Sequence, residues 1–173
     1  MAYVILVLAV LTRFAPHPWN FSPVYGALLF GGANMKRSNS IWFSAALLGG
    51  SDVVLTMLIY HMKIGWGELF QVAGFVSIAL IGWIMKHHFS VTRLAFACIA
   101  APLAFYLISD FGVWLGYGSY PHNWSGLLAC YVAAIPFQGR IAASTALSGA
   151  VLFGSQQIYN WHSQRKNSRV LAG

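Results

Sequence analysis

Acidic residues are nearly missing from this sequence. Its 173 residues include only Asp52, Glu68 and Asp110, and charged residues of both signs make up 8% of the chain. A water-soluble domain carries about a quarter charged residues, so this scarcity excludes a solvated globular surface. Cysteine is scarce too. Cys98 and Cys130 both lie in apolar runs, where a thiol packs as a small polarizable side chain, and a disulfide framework is not expected. There is no GxxxxGK[ST] loop, so nucleotide hydrolysis is not intrinsic. Neither HExxH nor a Ser/His/Asp order occurs; no enzyme, cofactor or resident metal is expected. The opening MAYVILVLAVLTRF has no basic n-region, and no A-x-A-like site precedes the prolines. It is expected to be retained.

What the chain does contain is apolar sequence: 58% of its residues are hydrophobic. Apolar segments run at about 1–15, 22–35, 41–60, 67–85, 94–116, 125–138 and 141–161. A perpendicular span needs roughly 20 residues, with about 17 as the short limit, and the first, second and sixth segments fall below it. The pattern predicts one transmembrane helical domain over 1–161 and a short basic cytoplasmic tail over 162–173. Small residues four apart, as in Ala97/Ala101 and Ala129/Ala133, let helices approach closely in lipid. The net charge is +7, but the Lys and Arg are scattered between apolar segments as membrane anchors. The expected partner is the lipid bilayer, not nucleic acid.

Charge asymmetry sets the expected topology. Let side A hold the stretch PHPWNFSP (16–23) and side B be the other. With seven crossings, side B holds Lys36, Arg37, Lys86, Arg93 and Arg140, and side A holds Arg13, Lys63, Arg165, Lys166 and Arg169. That is a tie. If 125–138 instead enters from A and returns to A, the tail moves to B. Arg140 moves to A, and the count becomes seven against three. Because short basic loops stay in the cytoplasm, the prediction is an all-α polytopic fold. It has six transmembrane helices and one re-entrant or short additional helix, with both termini cytoplasmic and side A outside.

The candidate site lies toward side A. Asp52 and Asp110 fall within predicted spans, where an ionisable group is costly and marks a functional site by default. They sit roughly 12 and 9 Å below side A at 1.5 Å per residue, so a shared layer is expected. Glu68, at the start of the fourth span, suits a positive helix N-terminus. His17, His61 and His122 fall in A-side loops, with Trp19, Tyr60, Trp66, Trp114, Tyr117, Tyr120 and Trp124. An interfacial aromatic belt accounts for many of these aromatics. It does not account for the two acids, nor for the echo of PHPWN (16–20) in PHNWS (121–125). Prolines stiffen the first of these segments, which reads as a cap over a small-molecule pocket. The expected ligand-binding residues are His17, Trp19, Asn20, Asp52, Tyr60, Asp110, Trp114, Tyr120, His122 and Trp124. Two alternatives stay open: a metal or metal-chelate transporter using these imidazoles and carboxylates, and an accessory or structural subunit of a larger membrane complex.

The order of features also carries a resemblance. A first helix ends at a basic residue and a proline-containing loop follows. Next come a short helix ending in glycines, GALLFGG, and a small-residue helix carrying SD. This order is similar to the substrate-binding S components of energy-coupling-factor (ECF) vitamin transporters. RFAPHPWNFSPVYGALLFGGA, the SD motif, DFGVWL and LLACYVAAIPF more closely resemble an uncharacterised bacterial membrane-protein family related to those components, through about residue 155. The resemblance implies a six-helix, S-component-like fold in the bacterial cytoplasmic (inner) membrane. It implies uptake of a small organic solute such as a vitamin or corrinoid, held near the outer face by loops 16–22, 61–66 and 117–138. It also implies ECF-type coupling and ATPase subunits as partners. The small-residue pair that S components often carry on the first helix is absent, because Ala9 is followed four residues later by Arg13.

Overall fold

The structure is a computed structural model and describes residues 1–15, 22–59, 61, 64–86 and 88–171, with side chains through 165. Six α-helices follow in order: α1 (Ala2–Leu11), α2 (Val24–Asn34), α3 (Arg37–Val54), α4 (Gly67–Gly82), α5 (Val91–Gly116) and α6 (Trp124–Leu171). Tight 3₁₀ turns extend α1 over Thr12–Phe14 and α4 over Trp83–Met85, and a π-helical turn, Leu55–Ile59, extends α3. No strand occurs among the described residues. Four of these helical segments are long and apolar enough to cross a membrane: Arg37–Ile59, Gly67–Met85, Val91–Gly116 and Trp124–Arg165. This is the expected all-α polytopic class.

The two remaining helices are too short to cross alone. α1 with its 3₁₀ turn spans Ala2–Phe14, about 20 Å, and the eleven residues of α2 span about 16 Å. Their positions follow from their contacts. Tyr3 bonds Asn39 at the start of α3 (2.6 Å), so α1 starts at side B, and ten residues later Arg13 meets Asp52. α2 runs the other way. Tyr25 packs on Phe75 and Phe105 near the middles of α4 and α5, while Asn34 pairs with Gln156 (2.5 Å) at side B. α2 is therefore a half-depth helix. All residues from Val24 to Ala33 are buried, as a helix apolar on every side should be.

Glycines make this central position possible. A Cβ on Gly32 would strike the carbonyl of Ala79, and one on Gly82 would strike that of Leu29. α2 and α4 thus cross at backbone contact, as small residues permit in membrane helices. Ala97 and Ala101 are fully buried, in line with the packing seam expected for that pair. Gly50 and Gly154, four residues after Ala46 and Ala150 in two further small-residue pairs, meet nothing.

One element departs from expectation. Residues 125–138 do not turn back; they form the first part of α6, a single 48-residue helix containing Pro136. Its antiparallel partner α5 holds it on both sides of that proline. Tyr131 donates to the Leu107 carbonyl and Tyr106 to the Tyr131 carbonyl (both 2.7 Å), while Cys98 contacts the Thr145 carbonyl (3.8 Å). Pro136 deletes one intrahelical hydrogen bond, a loss that membrane helices tolerate when neighbours satisfy the freed group. The apolar segments 125–138 and 141–161 thus belong to one helix.

Candidate functional site

The buried polar centre forms where α1, α3 and α4 meet below side A. Asp52 is 4% exposed and forms an ion pair with Arg13 at the end of α1. A second guanidinium nitrogen of Arg13 donates to Ser51 Oγ (2.7 Å), and Ser51 Oγ donates back to the Leu48 carbonyl (2.9 Å). Arg13 also lies over the Phe75 ring, 5.3 Å from its centroid. One oxygen of Asp52, Oδ2, is buried without a hydrogen-bond partner among the described residues. It is an acceptor with unused capacity in a place where unpaired polar atoms are costly.

An aromatic floor continues from this pair. Phe75 packs on Phe105 (4.8 Å between centroids) and Tyr25 on Phe105 (5.0 Å). Tyr25 lies within electrostatic reach of Arg13, Asp52 and Asp110. It is the second residue of α2, so the positive end of a buried helix faces this group. Above Asp52 the chain winds into the π-helical turn, a distortion that recurs at functional sites. There Glu68 accepts hydrogen bonds from Thr56 (3.1 Å) and Tyr117 (2.9 Å). Glu68 also stands in the first turn of α4, where a carboxylate suits the helix dipole. Tyr117 lies just beyond α5. Burial first, then the bond to Glu68, push its phenol up to about 12.

Of the expected ligand-binding residues, His17, Trp19, Asn20 and Tyr60 lie outside the described residues. Asp52 is central. Asp110 is half-buried one layer away, on a helix separated from α3 by α4; its backbone carbonyl receives the Cys130 thiol (3.4 Å). Both acids lie within electrostatic reach of Tyr25, and no hydrogen bond joins them among the described residues. Trp114 donates to the Pro121 carbonyl (2.9 Å) and packs edge-on against His122 (5.4 Å). His122 is exposed and Tyr120 is half-buried. Trp124, the first residue of α6, is 87% exposed and has no part in the buried centre.

The PHNWS echo has a local role. Asn123 Oδ1 accepts from the Gly126 amide (2.8 Å), three residues into α6, which is N-cap geometry. Sequence reasoning missed Arg13, Tyr25, Phe75 and Phe105. Arg13 was the one that could have been found, since a chain with two acids in its spans needs a cation to neutralise one of them.

A separate cavity of about 370 Å³ opens at side B. Asn34, Lys86, His88, Gln156, Gln157 and Asn160 supply its polar lining, and Met85, Phe89 and Phe153 much of the rest. Among the described residues, no three of His, Cys, Asp and Glu converge as metal donors.

No curated protein and no solved structure matches the chain significantly. A family profile does match, over residues 1–168 and so across all six helices but the last residues of α6, and by this match the chain belongs to the family of unknown function DUF6580.

Proposed function

We propose that the protein binds and takes up a small organic solute in the bacterial cytoplasmic membrane, capturing it from the outer side. The observation that carries this reading is the buried Oδ2 of Asp52, unpartnered among the described residues. It sits beside the Arg13 guanidinium and the inward-facing start of a half-depth helix. Discontinuous helices whose ends meet polar groups at membrane depth are a recurrent way to build solute sites. A solute offering an N–H or O–H to Asp52 and a flat apolar face to Phe75, Phe105 and Tyr25 suits this centre, and a vitamin-like heterocycle has both features. The resemblance to ECF S components supports the same reading. The amide-lined cavity at side B suits an exit vestibule for a polar solute.

The test is small-molecule mass spectrometry on protein extracted gently from membranes. Wild type should retain one solute in near-stoichiometric amount, and Asp52→Asn and Tyr25→Phe should lose it while still melting cooperatively. Absence of any bound solute, with no thermal shift across a panel of heterocyclic amines and alcohols, would overturn the proposal.

A further inference from the structure

One face of the middle of α6 is bare. From Val132 to Ala143, none of twelve consecutive residues is fully buried and only Ile141 packs on the core, whereas Cys130 before them and Ser144 and Thr145 after them are buried. This stretch contains Gln138, Gly139 and Arg140, and a Cβ on Gly139 would meet nothing. Arg140 is exposed and has no partner among the described residues.

Its depth makes that exposure consequential. Tyr131, nine residues before Arg140, meets Leu107, and Thr145, five residues after it, meets Cys98. Arg140 is therefore level with the centre of α5, a 26-residue helix long enough to cross the membrane. The nearer end of α5 is about 15 Å away along the axis, too far for an arginine to snorkel to the headgroups. A lone guanidinium facing hydrocarbon at this depth is costly and needs a counter-charge.

The chain itself cannot supply one. Its three acids all lie toward side A: Asp52 is paired with Arg13, Glu68 is bonded to Thr56 and Tyr117, and Asp110 stands about eight residues above Arg140's level on α5. A second copy related by rotation about the membrane normal keeps every depth unchanged, so its acids miss Arg140 as well. We infer that the bare middle of α6 is the docking face for a transmembrane helix of a different protein, and that this helix presents an Asp or Glu at mid-depth to Arg140. Gly139, Ala143 and Ala133 on the same stretch allow close approach. This inference does not rest on solute binding.

The test uses the full-length protein in phosphatidylcholine vesicles with leucine-rich spanning peptides about 23 residues long. One peptide carries a central Asp, one is all Leu at that position, and one has the Asp moved two turns toward an end. Energy transfer between labelled protein and peptide should show the central-Asp peptide binding about tenfold more tightly than the others. Arg140→Leu and Arg140→Gln should abolish the preference, and Arg140→Lys should retain most of it. Equal binding of the three peptides, or a preference that survives Arg140→Leu, would overturn the inference. So would energy transfer between two labelled copies of the protein that disappears in Arg140→Leu, because a second copy would then be the occupant.

Discussion

Arg13 and Asp52 neutralise each other in a place where neither could stand alone. Removing one partner of a buried pair leaves an uncompensated charge at about 3–5 kcal/mol, whereas replacing both by apolar groups is often near neutral. Arg13→Leu is accordingly expected to destabilise by roughly that amount, and Arg13→Leu with Asp52→Leu to recover most of it. Denaturant titration in detergent micelles measures both, and an Arg13→Leu variant as stable as wild type would remove the pair from the structural argument. Tyr117 gives a pH signature beside it. Its phenol is raised from 10 to about 12, so the neutral form is the one favoured in the fold. Its stabilising contribution is complete below pH 10 and fades as pH rises through about 12. Tyrosinate absorbance should show this late titration in wild type, and its amplitude should fall by one tyrosine in Tyr117→Phe. At this scale the sequence disclosed the acids, because carboxylates inside apolar runs are expensive enough to stand out. It concealed Arg13, since an arginine at the end of an apolar run looks like any membrane anchor. Tyr25, Phe75 and Phe105 were equally hidden, because aromatics in a span do not reveal which of them face one another.

α2 occupies a place in the bundle that its length alone does not foretell. Eleven residues cannot cross a bilayer, yet their uniformly apolar, glycine-punctuated sequence suits a position in which every side meets protein. Gly32 against Ala79 and Gly82 against Leu29 set the spacing of α2 from α4. Because the opposing atoms are backbone, a side chain there has to push the helices apart. Gly82→Leu is expected to cost at least about 1–3 kcal/mol, the usual range for overpacking. Gly50→Leu, on a surface where an added Cβ meets nothing, should be close to neutral. Melting temperatures of the two variants make the comparison, and equal losses would refute the close crossing. The short apolar run at 22–35 was legible as an element but not as a buried one, since burial depends on neighbours supplied by α4 and α6. α6 misled in the opposite direction. The shortness of 125–138 and its Pro136 allowed a re-entrant reading, and only the contacts of Tyr131 and Thr145 with α5 carry one helix through.

For the whole molecule, the helix directions lead to an expectation for the sides on which the termini lie. α1 starts at side B and α2 returns there, so together they leave the chain where it began. α3, α4, α5 and α6 are the four segments long and apolar enough to cross; if all four cross, their even number puts both termini on side B. The basic residues now divide more sharply than the sequence alone indicated. Lys36, Arg37, Lys86 and Arg93 stand at side B, and Arg165, Lys166 and Arg169 lie on the part of α6 beyond it. Arg13 is inside the bundle with Asp52, and Arg140 is at mid-depth, so neither counts for side A. Lys63 lies outside the described residues. By the positive-inside rule, side B is expected to face the cytoplasm. Single cysteines introduced at Ser38, His122 and Ser168, with Cys98 and Cys130 replaced by alanine, test this in intact cells. A membrane-impermeant maleimide should label position 122 from outside, and positions 38 and 168 only after the membrane is opened. Labelling of 122 and 168 from the same side would mean that α6 does not cross, and the level assigned to Arg140 would fall with it. Labelling of 38 and 168 from outside, with 122 protected, would keep the fold and invert it. Asp52 would then open toward the cytoplasm, and the solute-binding reading would have to become one of export.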